Sequence, residues 1–300
     1  MSVFPADILL ATDGSPDAAL AARAATDLSS ATEAKLHVVH VGRSLSAHAL
    51  PADIPKEDYS FLFARDAEGL LEEQTASIEQ AGATIAQAHL RFGRPADGIL
   101  DLAQEVGAGM IVMGSRGVGP VERLVMGSVS EEVLHHAGLP VLLMRGKERA
   151  WPPASVVLGD DASPEAKRAA ELAASIGSLF GAEGFLVHAY PTLPKISEEE
   201  DAFDARIVEE AFRRAEKALK ERANRLESIL GRPLGVRAAV GEAAALILGV
   251  AREAEPALIA VGSRGLGARE RSRGGYAKLG SVSTKVLRAA TGPVLVCPRG

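Results

Sequence analysis

Cysteine is nearly absent from this chain of 300 residues, which contains one, Cys297. A single cysteine excludes an internal disulfide framework, so we expect a cytoplasmic protein in which Cys297 is a small apolar residue of a strand. Aromatic residues make up only 4% of the chain. No apolar run approaches the roughly 20 residues that a membrane-spanning helix needs. The first residues show no charged segment followed by an apolar one, so we also expect no signal peptide.

Positive charge is in short supply as well, because 33 Lys and Arg stand against 39 Asp and Glu, for a net charge of -6. An acidic balance argues against general nucleic-acid binding. The remaining composition, 47% hydrophobic and 24% charged, is that of a globular protein. A chain of this length is long enough for two cores.

Much of the sequence occurs twice. The segment ILLATDGSPDA from Ile8 matches VVLGDDASPEA from Val156, an offset of 156 − 8 = 148. At the same offset MIVMGSRGVG matches LIAVGSRGLG, and the register then slips by five residues before GSVS at Gly127 matches GSVS at Gly280. A constant offset over this length predicts a duplicated module.

The repeat predicts two tandem domains, at residues 1–146 and 154–300, joined by a short linker that is polar and then rich in proline. Short apolar runs alternate with helical patterns in each copy. The strands predicted in the first copy are Ile8–Thr12, Leu36–Val41, Thr84–Arg91, Met110–Gly114 and Val141–Met144. The predicted helices are Pro16 to about Ser30, Glu57–Gln80, Pro95–Val106 and Ser128–His136, with Glu198–Leu230 as the long helix of the second copy. This alternation predicts a doubly wound parallel sheet, which binds ligands beyond the carboxyl ends of its strands.

A loop dense in glycine follows the fourth predicted strand and reads GSRGVGPVERLVMGSVS from Gly114. It ends where a helix begins with Ser128, which we expect to be a serine cap. Free N–H groups at a helix start, together with the Ser128 and Ser130 hydroxyls, predict a phosphate cradle. No lysine precedes Ser128, so this is not a Walker loop, and its glycine spacing and position differ from the GxGxxG fingerprint. The loop therefore favours holding phosphates over cleaving them.

The pattern Gly114-x2-Gly117-x9-Gly127-Ser128 resembles the nucleotide-binding signature of the universal stress protein family. ILLATDGSPDA resembles that family's first strand and turn, and the resemblance covers nearly the whole chain as two tandem domains. It implies an ATP-binding protein built from two Rossmann-like (adenine nucleotide alpha hydrolase-like) α/β domains. Each would be a five-stranded parallel sheet with helices on both faces.

The resemblance also implies roles for particular residues of the first copy. Asp13 would face the adenine–ribose end of the nucleotide, and Val41 would offer backbone hydrogen bonds to adenine. Gly114, Arg116 and Gly117 would wrap the ribose and phosphates. Phosphate would be bound by four consecutive residues, Gly127, Ser128, Val129 and Ser130. Mg²⁺ would be carried on the phosphates rather than on protein carboxylates.

Several of these residues have a second interpretation. Asp13 is equally suited to forming the turn before Gly14, Ser128 to capping a helix, and Arg116 to being a solvated loop arginine. His40 and His188 occupy matching positions at the ends of strands. No nucleophile signature accompanies them, so we expect structural histidines rather than catalysts.

The second copy carries the signature Gly262-x2-Gly265-x14-Gly280-Ser281, with five extra residues in an Arg- and Gly-rich loop. Its candidate nucleotide-binding residues are Asp161, Ala189, Gly262, Arg264, Gly265, Gly280, Ser281, Val282 and Ser283. The insertion has three interpretations: it bulges outward harmlessly, it displaces Gly280, or its positive charge recruits an anionic partner.

Relatives in this family pair domains through the last strand. PVLLM and PVLVC are therefore expected to pair within the chain about a pseudo-two-fold axis, and a homodimer of tandem chains is compatible with the sequence. The resemblance implies an ATP-dependent regulator in stress response that acts on an unknown protein partner. Two alternatives stay open. One is a slow ATPase or autophosphorylating enzyme with Ser128, Ser130, Ser281 or Ser283 as acceptor, and the other is an interaction module that binds no nucleotide.

Overall fold

The structure is a computed structural model that describes residues 4–42, 56–117, 126–190, 202–265 and 279–298. The first half contains five strands, β1 (Asp7–Ala11), β2 (Lys35–Gly42), β3 (Ile85–Phe92), β4 (Met110–Gly114) and β5 (Val141–Met144). Its helices are α1 (Pro16–Thr32), α2 (Lys56–Gln80), α3 (Pro95–Glu105) and α4 (Ser128–His136). Each predicted element of this half is present, and its ends lie within two residues of those predicted.

The second half repeats this order. Its strands are β6 (Ser155–Asp160), β7 (Glu183–Tyr190), β8 (Leu234–Val240), β9 (Ala257–Gly262) and β10 (Val294–Cys297). Its helices are α5 (Pro164–Phe180), α6 (Ala202–Leu230), α7 (Ala243–Glu253) and α8 (Ser281–Ala289). The predicted end of α6 at Leu230 is confirmed, while its predicted start at Glu198 lies outside the described residues.

The ten strands of the described residues form one sheet in the order β3-β2-β1-β4-β5-β10-β9-β6-β7-β8. The strands within each half are parallel, as the sequence predicts. The two halves meet where β5 runs antiparallel to β10, with Leu142 opposite Leu295. The predicted pairing of the last strands within the chain is therefore confirmed, and it covers the edge that each half would otherwise expose.

The sheet is covered by helices on both faces. Ile8 and Leu10 of β1 pack on the side of α1, α2, α5 and α6, whereas Leu9 packs on the side of α3, α4, α7 and α8. Burial on both faces explains why the strands are apolar throughout rather than alternating. Cys297 is 1% exposed at the end of β10, and burial raises the pKa of its thiol to about 12. The residue is thus an apolar strand residue, as expected.

Strand order reverses next to β1, which lies between β2 and β4, and again next to β6, which lies between β7 and β9. Connections leave the sheet in opposite directions at such a point and open a crevice beyond the carboxyl ends of the strands. The glycine loops follow β4 and β9, so each half directs its predicted site residues to this crevice. Among the described residues, no helix has the length and apolar character needed to cross a membrane.

Candidate functional site

Asp13 follows β1 and forms the turn into α1. Its Oδ1 accepts the N–H of Ser15 at 3.1 Å, and Gly14 between them has φ of +74°. Ser15 then caps α1, since its hydroxyl oxygen accepts the N–H of Ala18 at 3.2 Å. The turn interpretation of Asp13 therefore holds, and it leaves the second carboxylate oxygen to face the glycine loop.

Asp161 forms the same turn in the second half, where its Oδ1 accepts the N–H of Ser163 at 3.0 Å. Ala162 occupies the position of Gly14 and adopts a φ of +63°, a left-handed conformation that is uncommon outside glycine. The turn is thus kept in the second half although its glycine is not.

Gly117 brings the glycine loop against Asp13. A Cβ placed on Gly117 would lie 2.5 Å from Oδ2 of Asp13, and a Cβ on Gly265 would collide in the same way with Oδ2 of Asp161. Only a residue without a side chain allows the loop to approach the carboxylate this closely. The structure thus brings the first predicted turn and the glycine loop together in both halves.

Gly114 has a packing role. A Cβ at this position would lie 2.8 Å from the backbone nitrogen of Ala18 in α1, and one at Gly262 would lie 2.8 Å from that of Ala166 in α5. The first glycine of each signature therefore lets the following helix start close to the strand. This contact explains why glycine is needed at these two positions even when no ligand is bound.

The start of α4 differs from the sequence prediction. Gly127 is the N-cap, and Ser128 is the first helical residue, so Ser128 does not cap the helix. The N–H of Gly127 donates to the carbonyl of Ser115 at 2.8 Å, which ties the cap to the glycine loop. The helix has no side-chain cap, in contrast to α1 with Ser15.

The first turn of α4 therefore presents unsatisfied donors. The N–H of Glu131 is the first to find a helical acceptor, the carbonyl of Gly127 at 3.0 Å. In the described part of the chain, the N–H groups of Ser128, Val129 and Ser130 donate to no acceptor. The first turn of α8 has the same arrangement behind its N-cap Gly280, where the N–H of Thr284 is the first one satisfied. Such a turn favours an anion through its N–H groups and the helix dipole.

The second serine of each GSVS segment is turned inward. The hydroxyl of Ser130 is buried and lies within hydrogen-bond distance of the carbonyl oxygens of Ser115 at 2.8 Å and Gly127 at 2.9 Å. The hydroxyl of Ser283 also lies within hydrogen-bond distance of two carbonyl oxygens, those of Ser263 at 3.1 Å and Gly262 at 2.8 Å, and its contact with Ser263 matches that of Ser130 with Ser115. These hydroxyls stabilise the loop, so the exposed Ser128 and Ser281 remain to offer hydroxyls to a ligand.

Arg116 forms an ion pair that was not predicted from the sequence. Its Nε and Nη2 donate to Oδ2 and Oδ1 of Asp17 at 2.9 and 3.0 Å, a bidentate pair with a carboxylate that is 7% exposed. The hydrogen bond with Asp17 raises the pKa of the guanidinium. The side chain is thereby held on α1, so it is not a solvated loop arginine, and its contact with ribose and phosphate stays a prediction.

Val41 lies at the end of β2, two residues after Val39. The carbonyl of Val39 accepts the N–H of Thr12 at 2.9 Å and so faces β1. Carbonyl direction repeats every second residue along a strand, so the backbone of Val41 faces the same way, beyond the last residue of β1. This places its polar groups at the crevice.

In the second half, the predicted residues surround one cavity of about 490 Å³. All of them line it: Asp161, Ala189, Gly262, Arg264, Gly265, Gly280, Ser281, Val282 and Ser283. The volume lies in the range of small-molecule sites, about 300–1,000 Å³. The apolar walls, from Val187, Ile247 and Val261, were not predicted. Residues 266–278, which contain the insertion, and 118–125 of the first loop lie outside the described residues.

Three charged or titratable side chains, Asp160, His188 and Arg222, interact beside this cavity, and the sequence analysis did not predict their contact. Asp160, 5% exposed at its side chain, accepts hydrogen bonds from Arg222 at 2.8 Å and pairs with Nδ1 of His188 at 3.0 Å. Burial alone would raise the pKa of Asp160, but the hydrogen bonds from His188 and Arg222 outweigh it and lower the pKa. The bond to Asp160 raises the pKa of His188.

In the first half, Thr12 and Gln74 take the places of the charged Asp160 and Arg222. Thr12 donates its hydroxyl to Oε1 of Gln74 at 3.0 Å, and Nδ1 of His40 lies 2.9 Å from the carbonyl of Thr12. The offset of 148 relates each of these three residues to its counterpart, since 12 + 148 = 160, 40 + 148 = 188 and 74 + 148 = 222. Both histidines are hydrogen-bonded to the end of the neighbouring strand, which supports the structural role expected for them.

The geometry of both sites can be compared with the groups of a nucleoside triphosphate. The glycines leave a cradle that a Cβ would fill, and the helix starts offer donors to oxyanions, so the residues fit the ribose and phosphate groups. They do not form a protein-held metal centre: within the described ranges, no group of three or more His, Cys, Asp or Glu could hold an ion.

The two halves define a tandem, doubly wound α/β protein with a candidate ligand site beyond the strand ends of each half. The model of the universal stress protein family matches residues 6–145 and again 154–298. The chain belongs to the universal stress protein family.

Individual proteins show the same likeness. A protein of Staphylococcus haemolyticus that carries the universal stress protein name is 35% identical over 146 residues, 47% of this chain and 86% of that protein. The crystal structure of a universal stress protein from Archaeoglobus fulgidus has a TM-score of 0.66 and 25% identity, and the match covers 98% of each chain. A Pseudomonas aeruginosa protein of unknown function has a TM-score of 0.65 over 99% of this chain and 93% of its own, but at 17% identity the likeness concerns the fold alone.

Proposed function

We propose that this protein binds ATP in each of its two halves and acts as a nucleotide-dependent regulator in stress response. The observation that carries the proposal is the uncapped helix start next to a glycine loop and an aspartate, present in both halves. A cavity of nucleotide-compatible size at the second of these sites supports it.

In the proposed complex, the N–H groups of Ser128, Val129 and Ser130 hold the phosphates, and the hydroxyl of Ser128 adds a donor. The free Oδ2 of Asp13 accepts from a ribose hydroxyl, and the backbone of Val41 contacts adenine. The second half uses Asp161, Ala189 and the first turn of α8 in the same roles. Mg²⁺, where present, is held by the phosphates and supplies charge neutralisation there.

A regulatory role is favoured over rapid phosphoryl transfer. No lysine occupies the Walker position, and Arg116 is engaged by Asp17 rather than directed at the helix start. Phosphoryl transfer depends on such cations to stabilise the developing charge. The site is therefore suited to holding the nucleotide, whose contacts with the glycine loops alter the surface offered to a partner protein.

The proposal is tested by denaturing the purified protein and quantifying the released nucleotide by chromatography. Gly117→Ala and Gly265→Ala each place a methyl group against the site aspartate, so each should remove the nucleotide of its own half. Gly69→Ala and Gly249→Ala are matched controls, since a Cβ at either helical glycine meets no atom within 4 Å. Circular dichroism shows whether each variant folds.

About two ATP per chain, reduced to about one in each site variant, is the expected result. Time-dependent ADP that disappears with Gly117→Ala would instead favour a slow ATPase. Phosphate on Ser128 or Ser281 after incubation with ATP would favour autophosphorylation. No released nucleotide, and no binding of added Mg-ATP, would leave an interaction module without nucleotide.

A further inference from the structure

A second cavity, of about 790 Å³, lies between the two halves and apart from the candidate nucleotide sites. One wall comes from the first half, from the end of β5 and the linker that follows it. The other wall comes from the second half, from the start of β9 and the C-terminal ends of α7 and α8, and includes Ile259 and Ala290. The antiparallel pairing of β5 with β10 creates this cavity, because it places the linker beside the loop that precedes β10.

The wall of the first half is cationic. It carries Arg145, Lys147 and Arg149, together with Arg116, whose charge is paired with Asp17, whereas Glu255 is the carboxylate on the opposite wall. Glu255 accepts a hydrogen bond from the hydroxyl of Thr291 at 2.9 Å. A concentration of positive charge in a chain with a net charge of -6 is a local feature that composition does not explain.

Arg145 is the central cation and is 8% exposed. Its Nε donates to the Ser115 hydroxyl at 3.2 Å, and its Nη1 donates to the carbonyl oxygens of Leu287 at 2.6 Å and Ala290 at 3.1 Å. Its Nη2 donates to no group in the described part of the chain, and none of its partners is a carboxylate. Burial and the neighbouring Arg116 lower the pKa of this guanidinium, and together they outweigh the opposite effect of the Asp17 carboxylate. The nearest carboxylate is that of Asp17, which accepts from the same Ser115 hydroxyl at 2.9 Å and is already paired with Arg116. A buried cation that contacts no carboxylate directly is costly, and an anion in the cavity would reduce that cost.

Lys147 and Arg149 add two more charges at the mouth of the cavity. Both side chains are exposed, and within the described ranges neither forms an ion pair with a carboxylate. The linker that carries them is anchored, because Trp151 is 1% exposed and its Nε1 donates to Oδ2 of Asp27 at 3.0 Å. The segment that carries these two side chains is thus anchored at one side of the cavity.

We propose that this cavity between the halves binds a small molecule that carries phosphate groups, held by the Nη2 of Arg145 together with Lys147 and Arg149. A guanidinium and an ammonium side by side match the several oxygens of a phosphate group. The concave shape and the volume favour a small molecule over a nucleic acid or a protein surface. The site does not depend on the proposed nucleotide function.

Inorganic pyrophosphate is the probe, and isothermal titration calorimetry measures its affinity and stoichiometry. The cavity variant is Lys147→Gln with Arg149→Gln, both at exposed positions where folding is not at risk. The matched control is Lys35→Gln with Arg65→Gln, which removes the same charge at exposed positions elsewhere. The conservative exchange Lys147→Arg with Arg149→Lys keeps both charges in the cavity.

The cavity variant should lose one bound pyrophosphate per chain or bind it at least about tenfold more weakly, because each lost charge-assisted contact costs about that factor. The control and the conservative exchange should bind as the wild type does. Pyrophosphate at the helix starts would persist in the cavity variant, so it is distinguished by stoichiometry. Four results would each overturn the proposal. The cavity variant binds pyrophosphate as well as the wild type does, or the control loses as much affinity as the cavity variant. Alternatively, the wild type binds no pyrophosphate, or it binds citrate more tightly than pyrophosphate.

Discussion

Arg145, at the end of the first half, hydrogen-bonds Leu287 in the last turn of a second-half helix, with Nη1 2.6 Å from the carbonyl oxygen. The same guanidinium donates to Ser115 in the glycine loop of the first half. The N-terminus of that helix, α8, belongs to the candidate site of the second half. One side chain thus joins the glycine loop of the first site to the helix of the second.

In the described part of the chain, this connection runs from the first half to the second and has no counterpart in the reverse direction. With the register slip, the offset at the last strands is 280 − 127 = 153, and the position that matches Arg145 is 145 + 153 = 298, a proline. Proline has no donor to offer the last turn of α4. The pseudo-two-fold relation between the halves is therefore broken at this contact, although the strand pairing beside it is symmetric.

Replacing Arg145 with methionine should destabilise the protein by about 1–3 kcal/mol, because the carbonyl oxygens at the end of α8 lose their buried donor. Urea unfolding measures the change. Arg65→Met, at an exposed position of α2, is the control and should stay within about 0.5 kcal/mol of the wild type. Equal stability of the two variants would show that the contact between the halves contributes little.

Gly114→Ala should destabilise the fold by about 1–3 kcal/mol, because the added Cβ would lie 2.8 Å from the backbone of α1. Urea unfolding without nucleotide is the measurement. Gly69→Ala, in open space on α2, should be neutral or stabilising by up to about 1 kcal/mol. A Gly114→Ala protein of wild-type stability that fails to bind Mg-ATP would assign this glycine to the ligand instead of to packing.

Ser128→Ala and Ser130→Ala should separate ligand binding from loop stability. The buried hydroxyl of Ser130 stabilises the loop, so its removal should cost about 1–2 kcal/mol in urea unfolding. The exposed Ser128 should matter little for stability, within about 0.5 kcal/mol, but its loss should weaken Mg-ATP binding by about threefold to tenfold. A loss of stability in Ser128→Ala together with weaker Mg-ATP binding in Ser130→Ala would contradict the assignment of Ser130 as the inward-facing hydroxyl.

The Asp160–His188 pair should make stability depend on pH. The pKa of His188 is raised in the folded protein, so its contribution is fully present below the unfolded value of about 6.5 and is lost as the pH rises through the folded value. The stability difference between wild type and His188→Asn should therefore be larger near pH 6 than near pH 9. Asp160, whose pKa is lowered, stays charged across this range and loses its contribution only in acid.

A direct check on this pair is the titration of the His188 ring by NMR. Asp160→Asn should move the pKa of His188 down toward its ordinary value, because the charged hydrogen-bond partner is gone. An unchanged pKa in this variant would mean that Asp160 does not hold the proton on the ring.

The predictions from sequence succeeded where the signal is local or repeated. Local sequence determines several elements: the apolar runs predict β1 and β4, and Ser15–Pro16 predicts the start of α1. The offset of 148 then predicted the positions of the corresponding elements in the second half. The pairing of β5 with β10 followed from the resemblance. Each of these depends on few residues at a time.

The features that the sequence did not predict correctly, or did not predict at all, concern tertiary contacts. Whether Gly127 or Ser128 caps α4 depends on backbone angles that the GSVS segment alone does not specify. The hydrogen bonds between Arg116 and Asp17 join residues 99 positions apart in the sequence. The hydrogen bond between Arg145 and Leu287 joins residues 142 positions apart. The trio of Asp160, His188 and Arg222 was visible in principle, since each member aligns at the offset of 148 with a neutral or structural residue of the first half.

The central claim is that each half holds a nucleotide. It is tested most directly by titrating nucleotide-free protein with Mg-ATP in a calorimeter and counting the sites. We expect about two sites per chain in the wild type and about one in Gly117→Ala or Gly265→Ala, with Gly69→Ala unchanged. A folded wild type that takes up no Mg-ATP, or that binds it undiminished with both glycines replaced, would contradict the account.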